Sequence, residues 1–315
     1  MIRPLDGHVP LDHVLRGAID LHVHGVPEIR SDWDTSADNI RTGQLARERG
    51  MTGYVLKSHV WPTMDRAAEV ERHVPGIRVF SSITLNRIAG GVSAAAVLLA
   101  AAQGARFAWL PTWQAEHDLG HGGFSRIVRA QVTGDTDDQH QAGLRVVDGD
   151  GSVTEDCARV LATAKDCGLG LGTGHVSPAE SVAVAEAAAG IGFDRLVFTH
   201  PCSPGTSATV DHLRRAADLG CYIELPAVLM TPAHPHATPQ GIIDLVDTFG
   251  PERIVLTTDA GWPRWAPPAA DFLRLYVGTL IDAGLGVDAV RTMIVDNPRL
   301  VLGLPPYTDG DGDGA

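Results

Sequence analysis

Eight times along this chain a short apolar run rich in β-branched residues is followed by a loop and a helix, and five of the runs end in a polar side chain. The runs occupy residues 18–24, 52–59, 77–85, 107–111, 169–175, 195–200, 221–225 and 253–259. Helices are expected over 36–49, 62–73, from Ser93 onward, and over 154–167, 178–189, 207–219, 239–249 and 267–302. Ser36 is a favoured N-cap, Gly50 a favoured stop and Pro62 a favoured opener. Short buried strands alternating with helices specify a parallel sheet. Eight such units predict α/β architecture closed into a (β/α)₈ TIM barrel. An open doubly wound sheet would need a glycine-rich phosphate loop turning into a helix. The run GLGLGTG at 168–174 spaces its glycines along a strand instead.

The barrel is expected to span 17–304 as a single domain, after an N-terminal extension over 1–16. The rhythm breaks after strand four. Residues 112–153 are read as an insertion, a lid or small hairpin with 144–147 as one strand, since a loop this long is usually functional or mobile. Residues 305–315 are read as a disordered tail. Their DGDGD run lacks the glutamate that a calcium loop needs.

Composition removes several function classes. A net charge of −13 provides no basic face for nucleic acid. No apolar run reaches the roughly 18 residues of a membrane span, and the first residues lack a signal-type apolar segment. Four cysteines, Cys157, Cys167, Cys202 and Cys221, show no CxxC spacing. The expectation is a cytoplasmic protein with reduced thiols that acts on a small molecule. It leaves room for a homo-oligomer.

The ends of the strands carry the chemistry, because the carboxyl rim of a barrel lines its active site. Strand one ends in His22 and His24, strand two in Lys57 and His59, strand five in His175, strand six in His200 and strand eight in Asp259. Five of the 14 histidines therefore face one predicted cavity. Residues i and i+2 of a strand share a face, so both imidazoles of His22 and His24 can reach one metal ion. The same parity puts Asp20 on that face, where it would orient an imidazole. Lys57 lies in an apolar strand, where a bare ammonium is costly. Three fates are open to it: pairing with a carboxylate, carboxylation by CO₂ into a metal-bridging anion, or holding a substrate anion. His59 is read as a ligand or as a donor to substrate. Substrate contacts are expected from Arg30, Trp61, Trp113, His117 and Glu224, with Trp262 and Trp265 adding to an apolar wall.

Together, Asp20-Leu-His-Val-His24, Thr173-Gly-His175, Phe198-Thr-His200, Thr257-Thr-Asp259 and the closing Asp296-Asn-Pro-Arg299 segment resemble the metal-dependent amidohydrolase superfamily. Leu56-Lys-Ser-His59 and the Gly-Ser-Val-Thr-Glu lead at 151–155 resemble a sparsely characterised amidohydrolase-like branch of it. The resemblance implies one or two divalent ions, with zinc suited best to these donors and manganese or iron as alternatives. It implies that His22, His24 and Asp259 hold one ion and that His175 and His200 hold a second. Many binuclear members bridge their ions with a carboxylated lysine on strand four. Here strand four ends in Trp109, Pro111 and Thr112, and the lysine stands on strand two. The implied reaction is hydrolysis of an amide-like C–N bond, or of a lactone or ester, by metal-activated water, with Asp259 as proton shuttle. The alternatives are a metal-dependent decarboxylase or lyase on the same barrel, and a non-catalytic metal-binding barrel.

Overall fold

The computed structural model describes residues 11–33, 35–132, 142–261 and 266–308. Trp262, Trp265 and the DGDGD run, expected at the mouth and in the tail, lie outside the described residues.

Eight parallel strands form the sheet: β1 (Ile19–His24), β2 (Gly53–Lys57), β3 (Arg78–Thr84), β4 (Phe107–Trp109), β5 (Gly170–Gly172), β6 (Leu196–Phe198), β7 (Tyr222–Pro226) and β8 (Ile254–Thr257). Each pairs with the next in chain order, and a bridge between Val23 and Ala260 brings β8 back to β1. The fold is the (β/α)₈ barrel. Among the described residues no helix is long and apolar enough to cross a membrane.

Two apolar layers hold it together. Between strands and helices lies a broad core including Val23, Tyr54, Leu56, Ile83, Phe198 and Leu256. Inside the barrel Ile19, Leu21, Val55, Phe107, Trp109 and Val255 pack with Val301 and Leu302 of the last helix. The alternating glycines of β5 belong to this interior. A Cβ at Gly172 would stand 2.5 Å from the Trp109 ring, and one at Gly170 would stand 2.7 Å from Phe107. β5 gives up side chains so that β4 can carry two large aromatics.

Helix starts follow local capping chemistry. Asp38, rather than Ser36, accepts the Arg41 N–H, so the first barrel helix runs Asn39–Glu48. Ser207 has φ of 50°, a left-handed conformation, so the helix expected from 207 begins at Val210 under a Thr209 cap. Ser177, Pro178 and Glu180 form a full capping box on Pro178–Gly190.

The insertion differs from the expected hairpin. Its described part holds two short helices, Glu116–His121 and Phe124–Gln131. Leu144 and Val147 make only single bridges, to Ala115 and Val153. At the other end Tyr307, expected in the disordered tail, lies under the Arg299 guanidinium and against Gly17.

Candidate metal centre

The period-two argument holds for His22 and His24 but fails for Asp20. A β-bulge falls between Asp20 and Val23, where three residues of β1 span two of β2. His24 pairs with the inward Lys57, whereas Asp20 pairs with Tyr54 of the outer layer. Asp20 therefore touches no imidazole. It accepts hydrogen bonds from Thr258 Oγ1 (2.5 Å) and the His22 N–H (3.0 Å), and it ties β1 to β8. Burial pushes its pKa up to about 7.

Five imidazoles meet at the carboxyl rim. Successive ring centroids are 5.2 Å apart for His22–His24, 4.7 Å for His24–His59, 5.5 Å for His59–His175, 4.9 Å for His175–His200 and 5.9 Å for His200–His22. Asp259 joins them from the end of β8. His200 and Asp259 have φ of 25° and 51°, in the left-handed region that non-glycine residues avoid. Such strain persists where surrounding structure enforces it, commonly at functional sites.

One oxygen defines the centre. Asp259 Oδ1 is buried and makes no hydrogen bond, yet it stands 3.2 Å from His22 Nε2 and 3.1 Å from His24 Nε2. Those two nitrogens are 3.2 Å apart. Tetrahedral donors about 2.0–2.1 Å from a zinc ion stand roughly 3.3 Å from one another. The three atoms thus form one face of such a tetrahedron, and the donor set fits a divalent ion. Burial alone would raise the Asp259 pKa, but the imidazoles of His22 and His24 overcome it and hold the carboxyl well below its usual range.

Carboxylates behind the ring fix the tautomers. Glu224, expected to touch substrate, lies beneath the histidines instead. It accepts from His22 Nδ1 (2.7 Å), the His200 N–H (2.8 Å) and Thr257 Oγ1 (2.9 Å). Burial pushes Glu224 up, but His22 beside it brings it down to about 2, so it stays ionised. Glu28 accepts the His59 N–H at 2.7 Å and stands 3.7 Å from His24 Nδ1. Asp118 accepts from His175 Nδ1 at 2.8 Å.

Lys57 is fully buried, with Nζ 2.9 Å from His22 Nε2 and 4.3 Å from the centroid of the Trp109 ring. No carboxylate pairs with it among the described residues, which removes the first of its three fates. Burial lowers its pKa to about 8, against the pull of Asp259, Glu224 and Glu28. Burial also brings His200 down to about 3 and holds His59 well below its ordinary value.

A cavity of about 500 Å³ opens above the ring, lined in part by Lys57, His59, His175, His200 and Asp259. Arg30, Trp61, Trp113 and His117, expected to contact substrate, do not line it. Arg30 forms an exposed pair with Asp32, and Trp61 is 57 % exposed. Trp113 Nε1 donates to the His59 carbonyl, and His117 Nε2 is bonded to the Gly205 carbonyl. Loops that follow adjacent strands turned these side chains away. Asp118, Phe124, Ile127 and Leu229 line it instead. Gly123 makes room for Asp118, since a Cβ there would stand 2.7 Å from Asp118 Oδ2.

Gly174 sets the turn that presents His175. Its φ is 67°, and a Cβ there would stand 2.3 Å and 2.5 Å from the carbonyl oxygens of Leu110 and Pro111. Gly174→Ala is expected to cost about 3 kcal/mol or more, through both strain and backbone collision. A fall in the thermal midpoint of several degrees measures it; an unchanged midpoint refutes it.

Fold and cluster together define a (β/α)₈ barrel with a candidate metal centre at its carboxyl rim. The chain superposes on an amidohydrolase from Pseudomonas aeruginosa with a TM-score of 0.63 at 12 % identity, over 92 % of this chain and 97 % of that one. It superposes on a mutant organophosphorus hydrolase from Deinococcus radiodurans with a TM-score of 0.54 at 16 % identity, over 94 % and 96 %. For the N-acetyl-D-glucosamine-6-phosphate deacetylase from Mycobacterium smegmatis the TM-score is 0.53 at 14 % identity, over 95 % and 80 %. At such identities the likeness carries the fold. Comparison with curated proteins finds no match. Residues 17–224 match the profile described as "Family of unknown function (DUF6282)", and the chain belongs to that family.

Proposed function

We propose that this protein is a metal-dependent hydrolase that cleaves an amide-like C–N bond, or a lactone or ester, of a small molecule. The observation that carries the reading is the buried Asp259 Oδ1, without a hydrogen bond and within 3.2 Å of two imidazole nitrogens. His22, His24 and Asp259 would hold the first ion, and His175, His200 and a carboxylated Lys57 would hold a second. A divalent ion there, zinc by preference and manganese or iron otherwise, lowers the pKa of water to about 7 and polarises a carbonyl.

The chain's own residues supply the rest. Asp259 lines the cavity and moves a proton toward the leaving group. Thr112 Oγ1 accepts from Asn86 Nδ2 at 2.7 Å and lies 3.0 Å from His59 Nδ1. With Nδ1 engaged by Thr112, the His59 ring is held at the cavity as a hydrogen-bond partner to substrate. Phe124, Ile127, Val228 and Leu229 give the cavity an apolar wall, suited to an acyl or ring portion of a small substrate.

Elemental analysis of protein purified without chelator, paired with a panel of amides, lactones and esters, tests the reading. The expected result is at least one transition-metal equivalent per chain, and turnover that chelation removes and the metal restores. Release of CO₂ in place of an amine or acid would make the protein a decarboxylase. Tight metal binding with no turnover would make it a binding barrel, and absence of metal would end the reading.

A further inference from the structure

We infer that Asp118, contributed by the insertion and not by the barrel, is the positioning residue that fixes His175 with its proton on Nδ1 and leaves Nε2 for the cavity. Three observations meet at this carboxylate. It is 3 % exposed, so its hydrogen bonds are made within the protein. Oδ2 stands 2.8 Å from His175 Nδ1. Its oxygens also accept the first N–H groups of the helix Phe124–Gln131, Ser125 N to Oδ1 at 2.7 Å and Phe124 N to Oδ2 at 3.1 Å. An ionised carboxylate only accepts, so the shared proton must sit on the imidazole.

The same helix places the Phe124 ring 4.2 Å from that of His59. One side chain thus couples the cavity wall to the orientation of a rim histidine. The two short helices between Ala115 and Val132 belong to the site and are not a detachable cover. That His175 is a metal ligand rests on the reading above; that Asp118 sets its tautomer does not.

Asp118→Asn separates the two roles. With the amide oxygen at the Oδ1 position, held by the shorter Ser125 N–H bond, the NH₂ takes the Oδ2 position and the Phe124 N–H loses its acceptor. That NH₂ faces His175 Nδ1, which must then accept, and the proton moves to Nε2. Nitrogen-15 NMR of the imidazoles in metal-free protein, at a pH where they are neutral, reads this directly. The expected spectrum shows His175 protonated on Nδ1 in the wild type and on Nε2 in Asp118→Asn. A wild-type His175 protonated on Nε2 overturns the inference without any variant. Zinc titration adds a second readout. The variant is expected to lose 10- to 100-fold in affinity for the second equivalent while the first is unchanged. Equal loss at both equivalents would make Asp118 a merely structural residue. A tautomer that switches in protein binding only one equivalent would support the role of Asp118 and end the two-ion reading.

Discussion

Asp259→Asn is expected to fold normally and to lose turnover by at least about a thousandfold, the scale on which a positioned proton carrier and a charge at the reacting centre act. Asparagine is the right replacement because the backbone at this position has φ of 51°. Asparagine tolerates the left-handed region nearly as well as aspartate, so strain is not added. Volume is conserved as well. What disappears is the anion that brings Oδ1 to 3.1–3.2 Å from the nitrogens of His22 and His24. Metal content should fall with it, because the ion loses the only charged donor of that trio. A variant that keeps its metal and near wild-type turnover would show that Asp259 is not the proton shuttle. A variant that unfolds would be detected by its near-ultraviolet circular dichroism before any kinetic reading.

Metal-free Lys57→Met should be more stable than metal-free wild type at pH 7, by about 3 kcal/mol, and the metal-loaded variant should lose turnover. The folded chain holds the Lys57 amine near 8 instead of 10.5, because burial penalises its charge. Below pH 8 both folded and unfolded chains carry the proton, so the folded state bears the full cost of a buried ammonium. Between about 8 and 10.5 the unfolded chain binds more protons than the folded one, and wild-type stability rises with pH. The advantage of the methionine variant is therefore largest at neutral and acidic pH and vanishes above about 10.5. Urea unfolding at pH 7 and at pH 10 checks both sign and window. Equal stabilities at pH 7 would mean that the amine is better solvated than its burial indicates. Methionine keeps the unbranched stem and fills a similar volume at the Trp109 ring that Nζ overlies, so packing changes little.

The barrel and the ring of histidines were legible because both rest on local regularities. A period of two projects i and i+2 to one side, and a parallel barrel brings every carboxyl end of a strand to the same rim. His22, His24, His59, His175, His200 and Asp259 needed nothing more to be gathered. The supporting carboxylates were illegible for a matching reason. Glu224 accepts from His22 across 202 positions of sequence, and Asp118 reaches His175 across 57. No short-range pattern encodes either bond. Asp20 was misplaced by one inserted residue, which a rule of strict alternation cannot detect. The helices Glu116–His121 and Phe124–Gln131 were hidden by their shortness and by the glycines between them. Arg30 and Trp61 illustrate the reverse error, in which nearness to a strand end in sequence stood in for nearness to the cavity.

The extra residue in β1 makes this protein unequally tolerant of single-codon losses. Exchanging the side chain at position 20 leaves the direction of every later residue in the strand intact. Losing the codon of Leu21 would restore a regular pleat in which His22 and His24 both still face inward, with His24 opposite Lys57. Losing the codon of Val23 would turn one of the two histidines outward, so that deletion should be far more damaging to metal retention than deletion of Leu21.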